Sequence, residues 1–392
     1  MSELFVEVGH RMVQKSGNEI CGDVFLSRKV SAEGRTIVVL SDGLGSGTKA
    51  NILASMTASM ALNFTLSNSP AEHAARIILK TLPVDSFRKI SYSTFTIVDM
   101  DGEGVVNLVE FGNPSIVIWS RGKLRIPEKT KIVLDGVLVK QHLFTSRFTI
   151  EKGDRIVLCS DGITQSGMGT DRMPFGWGNR DMMNFVGQKI EADHTLSAGD
   201  LSDLILGKAL ENDAQTALDD MTCGIIFPRE PRRLLVCTGP PYKRDHDREL
   251  AERVRSFGGK VLVCGGTTAL ILARELNREI NMKLDGPTDG LPPAASMEGI
   301  ALVTEGILTI GRVAEYLDSD NSGKKTASGP AQEILKLFRD HDEIIFLVGT
   351  RVNEAHQDPA LPVELEIRRI VIKRIAASLE NKYLKKTNIT YI

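Results

Sequence analysis

No apolar run in this chain reaches the roughly twenty residues that a membrane span requires, and its N-terminus lacks the basic, apolar and cleavage regions of a secretory signal. The expectation is a cytoplasmic protein that uses no membrane. A basic excess is missing too: 48 Lys plus Arg stand against 50 Asp plus Glu, with no basic stripe, which argues against a nucleic-acid partner. Cysteine is sparse. Cys21, Cys159, Cys223, Cys237 and Cys264 are odd in number, scattered and mostly set in apolar strands, which excludes a disulfide framework and a zinc spacing. They read as buried inert thiols in a reducing compartment. The histidines are dispersed and take no role, and no internal repeat is found. Two nucleotide motifs also fail. Gly47 is followed by Thr48-Lys49-Ala50 where a P-loop needs Lys before Ser or Thr, and Thr48 stands where a dinucleotide fingerprint needs its third glycine.

What is present is a chain of 392 residues, long enough for two cores. From Phe5 to about Phe227, short strands are punctuated by Gly, Asn and Asp: Val24–Val30, Thr36–Leu40, Ser93–Asp99, Val105–Phe111, Ile116–Ser120, Arg155–Cys159 and Cys223–Phe227. Helices are expected over Lys49–Phe64, with Ala50, Ala54, Ala58 and Ala61 on one close-packing face, and over Ala71–Thr81, Met182–Glu191 and Leu201–Glu211. Two prolines among charges at Pro228–Arg233 mark a boundary, giving domains 1–229 and 232–392. Beyond it strands (Leu234–Cys237, Val261–Cys264, Ile300–Thr304, Ile344–Val348) alternate with helices (Arg244–Phe257, Thr268–Ile280, Arg312–Leu317, Ala331–Phe338, Pro362–Tyr383), the pattern of a parallel α/β, Rossmann-like layer. Asp318–Gly329 reads as a loop.

In the first domain acidic corners recur beside apolar strands: Gly22-Asp23, Ser41-Asp42-Gly43, Ser160-Asp161-Gly162 and Asp219-Asp220-Met221-Thr222. A single Asp-Gly pair is ordinarily just a turn. Four at strand ends within one domain can converge, and gathered carboxylates repel unless cations neutralise them. All-oxygen ligation selects two Mn²⁺ or Mg²⁺ ions, which can acidify a shared water for in-line attack at phosphorus. Glycine after the Asp residues is read as clearing space for backbone oxygen and water to approach the ions.

Gly22-Asp23, SDGLGSGTKA at Ser41–Ala50, EFGNPSIVIW at Glu110–Trp119, EKGDRIVLCSDGITQSG at Glu151–Gly167 and LDDMTCGIIF at Leu218–Phe227 together resemble the metal-dependent type 2C serine/threonine phosphatases, in the branch of the bacterial sporulation stage II protein E. The resemblance covers about the first 230 residues. It implies an α+β fold, a four-layer α-β-β-α sandwich, in which Asp23 bridges two metals, Asp42 with the Gly43 carbonyl completes one ion, and Asp161 and Asp219 complete the other. The Asp219-Asp220 doublet leaves the register open, with the family pattern favouring the first. The implied substrate is a phosphoserine or phosphothreonine on a protein, such as an anti-sigma-antagonist type domain. Arg11 and Lys15 are loosely aligned candidates for a phosphate-holding cation, and Thr164–Asp181 lies where the family has a substrate-facing flap.

In the second domain, Gly265-Gly266-Thr267-Thr268 joins a strand to a helix start, where free N–H groups suit a small anionic ligand. Thr238-Gly239, Thr304-Glu305-Gly306 and Gly349-Thr350 fall at comparable strand ends and are candidates to line the same pocket. The alternative is a docking or self-association domain, so an oligomer is possible. For the whole chain, the rivals to a phosphoprotein phosphatase are a catalytically silent binding module of the same fold and a small-molecule phosphatase.

Overall fold

Strands buried on both faces explain why the first half reads as near-continuous apolar runs although it is antiparallel. The structure, a computed structural model, describes residues 5–30, 33–81, 93–134, 141–282, 290–318, 329–351, 361–383 and 385–392, with side chains described for all of these except 141 and 361–365. The chain divides into two compact units, Met1–Glu230 and Pro231–Ile392.

Unit 1 begins with β1 (Phe5–Val13), β2 (Asp23–Val30), β3 (Arg35–Gly43), α1 (Gly47–Leu66) and α2 (Ala71–Thr81). It continues through β4 (Ser93–Met100), β5 (Val105–Phe111), β6 (Val117–Ser120), β7 (Lys123–Arg125), β8 (Thr130–Leu134), β9 (Gln141–Thr149) and β10 (Arg155–Cys159). It closes with α3 (Asp161–Thr164), α4 (Gly178–Ala192), α5 (Ala198–Asn212) and β11 (Met221–Arg229). Two antiparallel sheets result, one ordered β2-β3-β4-β5-β9-β8 and the other β1-β11-β10-β6-β7.

Strand alternation sorts the side chains of each sheet. On β3, Val38 and Leu40 meet Ile118, Ile156, Leu158 and Ile226 of the other sheet, whereas Ile37 and Val39 pack with Leu53, Ala58 and Ala61 of α1 and Ile78 of α2. The second sheet turns Val157, Cys223 and Ile225 toward Met182 and Val186 of α4 and Leu201 and Ile205 of α5. The expected alanine face of α1 is the buried one, with Ala50, Ala54, Ala58 and Ala61 at 1% exposure or less.

Unit 2 runs β12 (Arg233–Thr238), α6 (Asp247–Ser256), β13 (Lys260–Cys264), α7 (Gly266–Leu276), β14 (Ile280–Met282), β15 (Ala295–Met297) and β16 (Ile300–Thr304). Then follow α8 (Ile307–Asp318), α9 (Gly329–Asp340), β17 (Glu343–Val348), α10 (Leu361–Tyr383) and β18 (Lys386–Tyr391). Its sheet is ordered β14-β15-β16-β13-β12-β17-β18. The run from β16 to β18 is parallel, but β14 and β15 add antiparallel pairs, so the sheet is mixed where the sequence suggested a parallel one. These two strands have three residues each and carry no pattern long enough to read. The stretch Asp318–Gly329, expected to be a loop, lies outside the described residues apart from its two ends.

Because Ala54 is fully buried between α1 and its sheet, it has no room for added methylenes. Ala54→Leu is expected to lower the folding free energy by about 1–3 kcal/mol in chemical denaturation; a change indistinguishable from zero would contradict the packing.

Candidate metal centre

The register between β2 and β3 sets Asp23 directly opposite Asp42. Both share the face of Phe25 and Leu40, which pack between the sheets, so the carboxylates stand at the rim of that interior. The second sheet brings its acidic residues to the same rim: β10 ends one residue before Ser160 and α3 starts at Asp161, while β11 starts immediately after Asp219-Asp220. One buried hydrogen bond joins the two sheets here, and two more tie the end of β10 to β11. Thr222 Oγ1 donates to Asp23 Oδ2 at 2.7 Å, the Ser160 N–H donates to the Thr222 carbonyl at 3.0 Å, and the Thr222 N–H donates to Ser160 Oγ at 2.9 Å.

Burial and neighbouring carboxylates raise the cost of ionising Asp23, Asp42 and Asp219. Burial pushes Asp23 up to about 7, opposed by hydrogen bonds from Thr222 and Ser160 and reinforced by Asp220 and Asp161. Asp42 is raised further, first by burial and then by Asp23, Asp161 and Asp219. Asp219 is raised by burial and by Asp161, while the Asp220 N–H and the Lys15 charge pull it down. Burial also pushes Cys159 up to about 12 and raises Cys21, whose neighbour Asp23 adds to the effect; Cys159 is buried as expected, whereas Cys21 is only half-buried.

Two oxygens in this cluster, Asp23 Oδ1 and Asp220 Oδ2, are buried without any hydrogen-bond partner. An orphaned buried carboxylate oxygen is costly unless something positive faces it, and a set of hard oxygens fits Mg²⁺ or Mn²⁺. Among the described residues, no three His, Cys, Asp or Glu side chains stand in ready ligand geometry. Local hydrogen bonds occupy one oxygen on each of three of these carboxylates. Asp161 Oδ2 accepts from Gln165 Nε2 at 2.9 Å, Asp219 Oδ1 from the Asp220 N–H at 3.0 Å, and Asp220 Oδ1 from the Lys15 N–H at 2.9 Å.

A cleft of about 720 Å³ opens over the cluster, lined by Asp42, Gly43, Asp161, Asp219, Asp220 and Lys15. Asp23 lies beneath it, 1% exposed. The doublet divides its tasks: Asp219 is half-buried beside Asp161, and Asp220 is buried with one oxygen tied to the chain at Lys15. The glycines also have a packing use that the sequence did not show. A Cβ on Gly43 would stand 2.2 Å from the Ala50 carbonyl oxygen, and one on Gly162 would stand 2.2 Å from that of Asp220, so backbone packing demands them.

Of the two loosely aligned cations, Arg11 turns outward to Asp203 at 2.6 Å, whereas Lys15 lines the cleft. The Thr164–Asp181 segment, which reads equally as a flap or as a self-packed surface insertion, has features of each. Trp177 is 6% exposed against Phe185, yet Phe175 is 88% exposed. Asp213, which the sequence reading passed over, links this segment to the acidic turn: its Oδ1 accepts from the Gly167 N–H at 2.5 Å and its Oδ2 from the Leu218 N–H at 3.0 Å. Thr94 and His142 also line the cleft. Only strand register reveals them, and β9 was not read as a strand.

In unit 2, Gly265-Gly266-Thr267-Thr268 does join β13 to α7, but the Gly265 N–H already donates to the Thr304 carbonyl at 2.9 Å. Gly266 and Thr267 are exposed, and the hydroxyls of Thr268 and Thr238 are buried without a partner. Thr304, expected at the same edge, turns its hydroxyl to the Glu305 carbonyl.

Residues 32–227 match the family described as Stage II sporulation protein E (SpoIIE). No curated protein matches the chain. Among solved structures, one of the phosphatase domain with a fragment of the regulatory domain of SpoIIE from Bacillus subtilis is similar at 18% identity and a TM-score of 0.47. That match covers 58% of this chain and 65% of the other, less than two thirds of its length. The RsbU and RsbW domains of a Mycobacterium tuberculosis protein are similar at 15% identity and a TM-score of 0.46, covering 65% of this chain and 68% of that one. RsbX in complex with magnesium is similar at 18% identity and a TM-score of 0.41, covering 58% of this chain and all of that one. With the family match spanning half of its residues, the chain belongs to the Stage II sporulation protein E family.

Proposed function

We propose that unit 1 is a cytoplasmic, Mn²⁺- or Mg²⁺-dependent phosphatase that hydrolyses phosphoserine or phosphothreonine on a regulatory protein, such as an anti-sigma-antagonist type domain. The observation that carries this reading is the meeting of acidic residues from four separate stretches at one rim, with two buried carboxylate oxygens left unpaired. Membership of the family supports it. The faces buried on both sides of both sheets support a four-layer α-β-β-α sandwich, and the parallel strands of unit 2 support a Rossmann-like layer.

In this reading Asp23 would be shared by the two ions, Asp42 with the Gly43 carbonyl would hold one, and Asp161 with Asp219 would hold the other. When bound, such a pair supplies Lewis acidity and an acidified water for in-line displacement at phosphorus. The residues of the chain prepare the place. Thr222 and Ser160 fix the Asp23 carboxylate, Asp213 fixes the turn that leads to Asp219, and Lys15 sets a positive charge at the cleft wall that attracts a phosphate anion.

With Mn²⁺ present, the protein is expected to release phosphate from a phosphothreonine peptide, and Asp42→Ala to lower kcat by about 100-fold or more. Turnover of p-nitrophenyl phosphate but of no phosphopeptide would instead indicate a small-molecule phosphatase, and no metal-dependent turnover of either would indicate a silent module.

Linkage gives a second test. The folded, metal-free protein holds the Asp23 proton up to about pH 7, whereas an ordinary Asp releases it near 3.8, so the unfolded chain loses its proton first as pH rises. Stability of the metal-free protein is therefore expected to fall between about pH 4 and 7. Thermal melts should show the decline, with Asp42→Asn raising the metal-free Tm at pH 7 and Mn²⁺ raising that of the wild type. A metal-free Tm that climbs across that window would contradict the arrangement.

For unit 2 the proposal is a small-anion site at the exposed start of α7, formed by Gly266, Thr267 and Thr268 beside Gly265. Without added metal, inorganic phosphate is expected to raise the Tm of the full chain, and Thr267→Glu to abolish the shift; an equal shift in that variant would refute the site.

A further inference from the structure

The acidic rim is one end of a longer row. Asp42 on β3 pairs with Thr94 on β4, and because Phe95 pairs with Phe111, the next step sets Thr94 beside Gly112. Glu110 pairs with Phe144 on β9, so continuing that register two residues brings Gly112 opposite His142. Cross-strand partners share a face. Asp42, Thr94, Gly112 and His142 accordingly form one transverse line, and all four line the same cleft.

The floor of this line is fixed. The Thr94 hydroxyl bonds Asn113 Oδ1, and Asn113 Nδ2 reaches Thr96 Oγ1 at 3.2 Å and the Leu40 carbonyl at 3.4 Å. Gly112 adds no side chain of its own, and a Cβ there would lie 2.3 Å from Thr94 Cγ2, so the Thr94 methyl packs against Gly112 and forms the floor at the middle of the line. Three strand steps of about 4.8 Å separate Asp42 from His142, roughly 14 Å in all. That is too far for His142 to act on a phosphoryl group held at the carboxylates, and it is the length of about four residues of extended peptide.

The far end differs from the near end in charge. His142 is exposed opposite Val133, itself 42% exposed, and the neighbouring pair sets exposed Lys131 opposite Phe144. One end of the groove is acidic and the other carries the His142 imidazole, with the exposed Lys131 ammonium just outside the cleft lining on the adjoining strand.

We propose that this groove seats the substrate as an extended segment, its phosphorylated residue at the carboxylates and an acidic side chain about four residues away held by His142 and Lys131. The inference rests on the phosphatase reading for the phosphorylated residue and adds a specificity-determining pair to it. The direction of the segment is left for the experiment.

The test uses short fluorescent phosphothreonine peptides in an alanine background, with Asp four residues after the phosphothreonine, four before it, or absent. Their binding is measured by fluorescence anisotropy with Mn²⁺ on the full chain carrying Asp42→Ala, in which hydrolysis is slowed, and the binding of the His142 and Lys131 variants is compared in that background. One of the two Asp peptides is expected to bind about fivefold more tightly than the Asp-free peptide, the effect of one exposed ion pair. The preference should vanish in His142→Ala and shrink in Lys131→Ala, with p-nitrophenyl phosphate turnover unchanged in both. His142→Gln, which keeps a hydrogen-bonding group, is expected to retain part of it. No preference at either position, a preference that survives His142→Ala, or loss of p-nitrophenyl phosphate turnover in that variant overturns the proposal. A preference in binding without any turnover leaves the groove standing and removes the hydrolytic reading, whereas turnover without preference does the reverse.

Discussion

Like charges forced together at a sheet rim are the constraint around which unit 1 is arranged. Two carboxylates about 4 Å apart repel by roughly 4 kcal/mol at the effective dielectric of a protein surface, comparable with a large part of a domain's net stability. Asp23, Asp42 and Asp219 are each raised in part by a neighbouring carboxylate, and Asp23 is almost wholly buried. A fold tolerates this only where protons or cations offset the charge and rigid elements hold the groups in place. The surroundings meet the second need. Thr222 bonds across the sheets to Asp23, the start of α1 is pressed against Gly43, and α3 rests on Asp220 at Gly162.

The same rigidity links the cleft to its margins. Asp213 accepts hydrogen bonds from both the base of the Thr164–Asp181 segment and the turn before Asp219, so a movement of that segment is felt at the acidic cluster. Phe175 at 88% exposure projects from a segment whose Trp177 is anchored in the core beside Met182 and Val186. One end of this insertion is therefore structural while its tip faces solvent.

Much of this was legible in the sequence because burial leaves a local record. The strand Thr36–Leu40, the alanine face of α1 and the acidic corners each depend on residues close together in the chain, and the structure brings the corners to one rim. Elements without an apolar signal stayed hidden. The β9 strand QHLFTSRFT and the β18 strand KTNITY are mostly polar and keep no strict alternation, and the three-residue strands β14 and β15 are too short to show a period. With β9 unread, nothing in the chain pointed to His142, since its place beside Gly112 exists only through register. The reason for Gly43 was equally invisible, because Ala50 meets it only after the chain has turned. In unit 2 the strand–glycine–helix junction was readable, but the capture of the Gly265 N–H by Thr304 requires β16 to lie beside β13.

The central claim concerns where divalent ions settle, and anomalous X-ray diffraction from crystals grown with Mn²⁺ addresses it most directly. The account predicts two manganese peaks within the acidic rim, both in contact with Asp23, one also ligated by Asp42 and the other by Asp161 and Asp219. Manganese elsewhere on the protein, or a rim that stays free of it at saturating concentration, would contradict it.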